Sequence, residues 1–343
     1  MKKVRLGIIG AGRIGRVHAQ SIKTGIPEAE IAIISDPFPG AAQKAAEEFH
    51  IPKYCEDYKE VLADPTINAV LVCTPSKTHA EITIAAARAG KHIFCEKPVE
   101  VEIDKILEIK RVIDETGVKM QVGFNRRFDD NFSKINRLVR SGDLGEIQIV
   151  KITSRDPEPP SMEYAASSGG LFLDMTIHDF DMAYFQAGSE IDEVFAVGAV
   201  TVNPDLKKID DIDTAAIILR FENGALGIID NCRKSAYGYD QRVEVFGTAG
   251  AAEAENVRET NVKISTNEAV CYDKPLFFFL ERYMSSFKNE IKAFVDAVLN
   301  DTPVPVTVED GLRPILIAKA ANISRKENRP VKISEIRKGH EIG

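Results

Sequence analysis

The chain has 343 residues, which at roughly 150 residues per domain suggests two domains and leaves ample chain for a sizeable core. Charged residues make up 28% and hydrophobic residues 44%, a balance that argues against general disorder. The net charge of −8 argues against nucleic acid as the main partner, because phosphate binding needs a basic face. No apolar run approaches the roughly 20 residues of a membrane span. The apolar stretch after Lys2, Lys3 and Arg5 is cut off by Arg13, too short for a signal peptide. In the first 123 residues, Val4–Ile9 reads as a strand, Ile14–Lys23 as a helix, Glu30–Ser35 as a strand and Ala41–Phe49 as a helix. A short strand and turn fall near Ile51–Asp57. The strand Ala69–Cys73, a helix near Ala80–Ala89, the strand His92–Cys95, a helix near Ile103–Glu115 and the strand Lys119–Val122 complete the alternation. Short strands apolar on both faces and joined by helices indicate a parallel sheet covered on both sides.

The pattern changes after Gly123. Phe128–Val139 reads as one helix. Strand-like segments follow at Gln148–Ser154, Glu193–Val202, Thr214–Phe221, Ala225–Cys232, Arg242–Phe246 and Asn261–Thr266. Glu222-Asn223-Gly224 is a hairpin turn between two of them. The helix Ile177–Ala187 interrupts the strands, and helices near Glu281–Leu299 and Gly311–Lys326 close the chain. The expected architecture is α/β. A doubly wound parallel domain over residues 1–123 precedes an α+β domain over 124–343, built on a largely antiparallel open sheet. Asp210, Asp211 and Asp213 read as a solvated turn, and Phe277-Phe278-Phe279 as part of an aromatic core, with an oligomer contact or a lid as the next reading.

The cysteines are Cys55, Cys73, Cys95, Cys232 and Cys271, an odd number with no CxxC pair. That argues against a disulfide framework or a structural zinc site and fits a reducing cytoplasm. Cys73 and Cys95 end apolar runs and read as small core residues. No residue is assigned as a metal ligand.

The first strand runs into Gly10-Ala11-Gly12-Arg13-Ile14-Gly15, a GxGxxG loop that opens a helix. Gly10 permits the tight turn, Gly12 lets backbone approach a pyrophosphate, and Gly15 lets helix and strand pack closely. The helix N-terminus offers free N–H groups and partial positive charge to the phosphates. Asp36 ends the second strand, where a carboxylate accepts hydrogen bonds from the adenosine ribose. It would repel a 2′-phosphate, and Pro37 follows where an arginine would grip one, so NAD is favoured over NADP. Arg13 and Ile14 complete the cofactor-binding candidates of this loop.

Thr74-Pro75-Ser76-Lys77-Thr78-His79 and Glu96-Lys97-Pro98 both follow strands at their carboxyl ends, the edge where open parallel sheets bind ligands. Thr74, Pro75, His79, Glu96 and Lys97 are therefore further cofactor-binding candidates, with Lys97 toward the nicotinamide. For any one of them the plain alternative is an ordinary surface residue. In the second domain, Gly169-Gly170 precede Asp174 and His178. Four apart, these two share one face if helical. A carboxylate beside an imidazole raises its basicity and orients it, a general-base arrangement; the alternative is a helix-surface salt bridge.

These motifs, in this order along nearly the whole chain, resemble the glucose–fructose oxidoreductase and inositol dehydrogenase family. Gly123-Phe124-Asn125-Arg126-Arg127-Phe128-Asp129, Ser154-Arg155-Asp156-Pro157-Glu158-Pro159-Pro160 and Tyr237-Gly238-Tyr239-Asp240-Gln241-Arg242 look most like its inositol 2-dehydrogenases. The resemblance implies a Rossmann domain followed by a domain whose open sheet serves in homo-oligomer contacts, commonly a tetramer. It implies Lys97, Asp174 and His178 as the catalytic set, and Arg127, Asp156, Thr176 and Tyr237 as polyol contacts. The implied reaction passes hydride from a ring secondary alcohol to NAD, foremost myo-inositol to its 2-keto form (scyllo-inosose). The alternatives are a sugar dehydrogenase using NAD or NADP, an NAD-dependent glycoside hydrolase or lyase with transient oxidation, and a non-catalytic dinucleotide sensor.

Overall fold

Six runs rich in β-branched and small apolar residues pair side by side in the computed structural model, which describes residues 3–340. They are β1 (Val4–Ile9), β2 (Ala29–Ser35), β3 (Tyr54–Cys55), β4 (Ala69–Val72), β5 (His92–Glu96) and β6 (Met120–Gly123). All pairs are parallel, in the order β3-β2-β1-β4-β5-β6. Strand order therefore switches direction between β1 and β4, the point at which doubly wound sheets bind ligands. Helices cover both faces, so Ala69, Val70, Leu71 and Val72 are fully buried. Burial of each of the larger three, Val70, Leu71 and Val72, contributes about 1.5–3 kcal/mol. The helix Ile103–Thr116 shows why the intervening segments coil. It buries Ile103, Ile106, Ile109 and Val112 at helical spacing and stops at Gly117, whose φ of 68° few other residues adopt.

The first compact unit is not a single stretch of chain. It takes residues up to Phe128 and then Met284–Arg313, while the second holds Asp129–Tyr283 and the chain from Pro314 on. The division expected from sequence, 1–123 against 124–343, differs in giving the Met284 segment to the second unit. The helix Met284–Asn300 places Ile291, Phe294 and Val295 in one core with Leu6, Ile8 and Phe94. Its apolar stripe announces a buried face, but a stripe does not say which sheet it covers.

The second unit contains β7 (Ile147–Arg155), β8 (Ile191–Ala199), β9 (Thr214–Phe221), β10 (Leu226–Cys232), β11 (Asp240–Gly247) and β12 (Gly250–Ala254). A small hairpin of β13 (Lys263–Ser265) and β14 (Val270–Tyr272) follows, and β15 (Val331–Lys332) comes last. The main sheet runs β12-β11-β7-β10-β9-β8-β15, antiparallel throughout except between β7 and β10. Gly224, at φ 90°, closes the expected hairpin between β9 and β10. Alternation is clean. Ile217, Leu219, Ile229, Val243 and Val245 are buried on one face, while Val197, Ile218, Leu226, Ile228 and Phe246 stand exposed on the other.

Three local expectations are corrected. Asp211 and Asp213 are buried rather than solvated. Asp213 accepts the N–H groups of Thr201, Val202 and Asn203, each at 2.8 Å, which offsets the cost of burial and holds its carboxyl below the usual range. Phe277 is exposed and belongs to no core. The segment after Gly123 opens as a 3-10 turn, Asn125–Phe128, before the helix Asp130–Arg140 begins behind its Asp129 cap.

Candidate active site

In the first unit the glycine loop has the geometry its residues require. Gly10 sits at φ 107°, and a Cβ there would stand 2.6 Å from the Cys73 carbonyl oxygen. A Cβ on Gly15 would collide with the Gly10 carbonyl, so the helix Arg13–Gly25 packs on the loop only with glycine there. Around Gly12 the space is open, as backbone contact with a ligand needs. Asp36 is buried against the loop. Its Oδ2 accepts the Ala11 N–H at 2.8 Å and its Oδ1 the Phe38 N–H at 2.9 Å. Each carboxylate oxygen keeps a lone pair for a ribose hydroxyl. Arg13 is exposed and Ile14 half-buried at the helix start.

The next two strand ends are tied to each other by His79. Its Nδ1 lies 2.7 Å from the Pro98 carbonyl oxygen and its Nε2 2.8 Å from that of Thr74. Burial alone would lower the pKa of this imidazole. The Cys95 thiol and the two carbonyl acceptors outweigh burial and raise it to about 9. Both ring nitrogens are thus spent on backbone, and the ring spans the Thr74-Pro75 and Lys97-Pro98 turns. Glu96 is also buried. One oxygen faces His18 and the other accepts the Lys97 N–H at 3.2 Å. Lys97 itself is half-buried at the carboxyl end of β5.

In the second unit Asp174 and His178 do not share a helix. Asp174 ends a single turn, Leu171–Asp174, and His178 is the second residue of Ile177–Ala187. Met175 and Thr176 form the bend between them. The turn is pinned by Asp211, whose Oδ1 accepts the Leu171 N–H at 2.9 Å. Gly170 makes that approach feasible, because a Cβ on it would lie 2.9 Å from the same oxygen. Asp174 and His178 are both half-buried and flank the buried Met175, Thr176 and Ile177. Asp174 accepts the Tyr164 hydroxyl at 2.8 Å and Arg233 Nη1 at 3.0 Å. Arg233 is only 2% exposed, so this ion pair sits in a poorly solvated place. Nothing in the local sequence marked Tyr164 or Arg233, since their link to Asp174 is tertiary.

The expected polyol contacts divide. Thr176 is fully buried and its hydroxyl donates to Asn231 Oδ1 at 2.7 Å, so it supports the fold of the bend and is closed to a ligand. Arg126 and Arg127 are buried, and Arg127 pairs with Asp310 at 3.1 Å. Burial disfavours charge on Asp310, but Arg127, the Thr307 N–H and Arg313 hold its carboxyl below the usual range. Asp156 is half-buried just past β7, with its N–H on the Cys232 carbonyl. Tyr237 is exposed, and its hydroxyl donates to Asp240 and accepts from Arg155.

Residues 4–124 match the model of an oxidoreductase family with an NAD-binding Rossmann fold, and residues 132–253 match the GFO/IDH/MocA C-terminal domain. The chain is 49% identical over 337 residues to the uncharacterized oxidoreductase YrbE of Bacillus subtilis, covering 98% of each chain. It is 45% identical over 336 residues to a myo-inositol 2-dehydrogenase of Thermotoga maritima, covering 97% of this chain and 99% of that protein. Among solved structures, scyllo-inositol dehydrogenase of Lactobacillus casei with bound NAD(H) and scyllo-inositol superposes with a TM-score of 0.89 at 34% identity. That match covers 97% of this chain and 100% of the other. The chain belongs to the GFO/IDH/MocA oxidoreductase family, whose N-terminal domain is an NAD-binding Rossmann fold.

Proposed function

We propose that the protein is an inositol 2-dehydrogenase, oxidising a ring secondary alcohol of a cyclic polyol, foremost myo-inositol, to the ketone. Full-length similarity to a myo-inositol 2-dehydrogenase carries this reading. NAD, when bound, supplies the acceptor for hydride and its two electrons. The glycine loop and Asp36 would hold it, and the open space around Gly12 and the free lone pairs of Asp36 fit that role. His178 takes the hydroxyl proton. Lys97, as ammonium, donates a hydrogen bond to the same oxygen and stabilises the charge developing there. Asp174 orients His178, and is itself held by Tyr164 and Arg233. Asp156 and Tyr237 are the side chains we assign to neighbouring hydroxyls, and His79 the clamp between the two turns.

The exposed apolar row on the second sheet supports a homo-oligomer, which we take to be a tetramer. Among the described residues no helix is long and apolar enough to cross a membrane. A reducing cytoplasm suits the buried free thiols Cys55, Cys73 and Cys95. The test is NADH formation with inositols, hexoses and pentoses, run with NAD and NADP side by side. Turnover of myo-inositol with NAD is the expected result. Turnover of a hexose alone would transfer the assignment to a sugar dehydrogenase, and product without net NADH would point to a hydrolase.

A further inference from the structure

The first unit buries three titratable side chains close together. His18 lies on the helix Arg13–Gly25, Glu96 at the end of β5 and Glu290 on the helix Met284–Asn300. One polar atom from each lies within 4.8 Å of the other two. His18 and Glu290 are fully buried, and Glu96 is buried. His18 Nε2 and Glu96 Oε1 are 2.6 Å apart. The imidazole stands edge-on to Phe94 and Phe287, with ring centroids 5.1 and 5.8 Å away.

Charge decides what these groups carry. Among the described residues no lysine or arginine pairs with Glu96 or Glu290; the one ion-pair partner is His18. Neither oxygen of Glu290 has a hydrogen-bond partner. Two carboxylates this close in an apolar setting do not both ionise. Burial first, and the charge of Glu96 second, push the Glu290 carboxyl well above the ordinary range. Glu96 is the member paired with an imidazole, and Glu290 the one whose proton is favoured.

Glu96 also controls the turn that follows it. Its Oε2 accepts the Lys97 N–H at 3.2 Å. Gly123, its partner across the parallel pair with β6, leaves the carboxyl its room; a Cβ there would stand 3.2 Å from Oε2. A carboxylate with one oxygen on His18 and the other on the Lys97 backbone fixes the direction in which the chain leaves β5.

We propose that Glu290, as a neutral acid, and His18 form a buried clamp that holds the Glu96 carboxylate and, through it, the turn that aims the Lys97 ammonium. Glu290 and His18 are positioning residues for Lys97, and the proposal rests on Lys97 being the donor to the reacting oxygen. Neutral Glu290 fills the space beside Glu96 without repelling it. An ionised group there would drive Glu96 from His18, and an apolar one would leave Glu96 without polar company on that side.

The test compares full-length wild type with Glu290→Gln, Glu290→Met and Lys97→Met, using NAD and myo-inositol. Glu290→Met is expected to lower kcat about 10- to 100-fold with little change in KM for NAD, the size of effect that a small misplacement produces. Glu290→Gln, neutral and of the same shape, restores kcat to within about threefold of wild type. Wild type minus Glu290→Gln should show the infrared C=O stretch of a protonated carboxyl at neutral pH, a readout independent of turnover. Where Glu290→Met does not fold, Glu290→Ala carries the same comparison. A lowered melting temperature with wild-type kcat would reduce Glu290 to a structural residue and overturn the clamp. Loss of kcat in Glu290→Gln equal to that in Glu290→Met would do the same, as would absence of the carboxyl band. Stoichiometric metal in the wild type that Glu290→Met removes would replace the clamp with a metal site. Undiminished turnover in Lys97→Met would instead refute the assignment of Lys97.

Discussion

Lys97 and Asp174 are supported in opposite ways. Behind Lys97 stand two carboxyls and an imidazole, with no lysine or arginine paired to either carboxyl among the described residues. Behind Asp174 stands a buried guanidinium, Arg233, at 3.0 Å. The first support limits its negative charge by holding a proton, and the second neutralises a full charge with another. A neutral replacement of matching shape is therefore tolerated behind Lys97, whereas behind Asp174 it leaves an ion stranded.

The largest effect is expected at the proton acceptor. His178→Ala should lower turnover by about 10²- to 10⁴-fold while NAD affinity, followed by cofactor titration, stays near wild type. Surviving turnover would mean that another group takes the proton. Next comes the ion pair. Arg233→Met and Asp174→Ala should each cost about 3–5 kcal/mol in urea unfolding, since each strands the partner charge. Arg233→Met/Asp174→Ala together should cost less than the sum of the two, and simple additivity would break the contrast with the Lys97 side.

Gly10→Ala should cost about 1–3 kcal/mol through its positive φ alone, read as a lower thermal midpoint and weaker NAD binding. The clamp at His79 carries a pH signature. Its pKa is raised from 6.5 to about 9, so its contribution to stability is complete below 6.5 and is lost as pH climbs to about 9. His79→Gln should remove that alkaline decline from a plot of thermal midpoint against pH, and an unchanged slope would place the decline elsewhere. The smallest change is one of preference. Asp36→Ala should narrow the ratio of NAD to NADP activity, and a constant ratio would move the ribose contact to another residue.

The two units differ in how much of them was legible from sequence. In the first, β1, the glycine loop and the helix Ala41–Phe49 fall where periodicity and glycine spacing place them, because each signal is local. The sheet alternation and the Glu222-Asn223-Gly224 hairpin of the second unit were readable for the same reason. What escaped was tertiary. An aspartate run looks solvated until Thr201, Val202 and Asn203 bring their N–H groups to Asp213. Asp174 and His178 at helical spacing look like one face until Asp211 pins the turn before them. Glu290 and Arg233 carry no motif; each matters through a residue more than fifty positions away.

Direct hydride transfer from polyol to NAD leaves an isotopic signature in the product. The most direct measurement incubates the enzyme with NAD and myo-inositol deuterated at its reacting carbinol carbon, then weighs the NADH by mass spectrometry. One deuterium per NADH is the expected result. NADH without deuterium, or ketone formed without NADH, would contradict it.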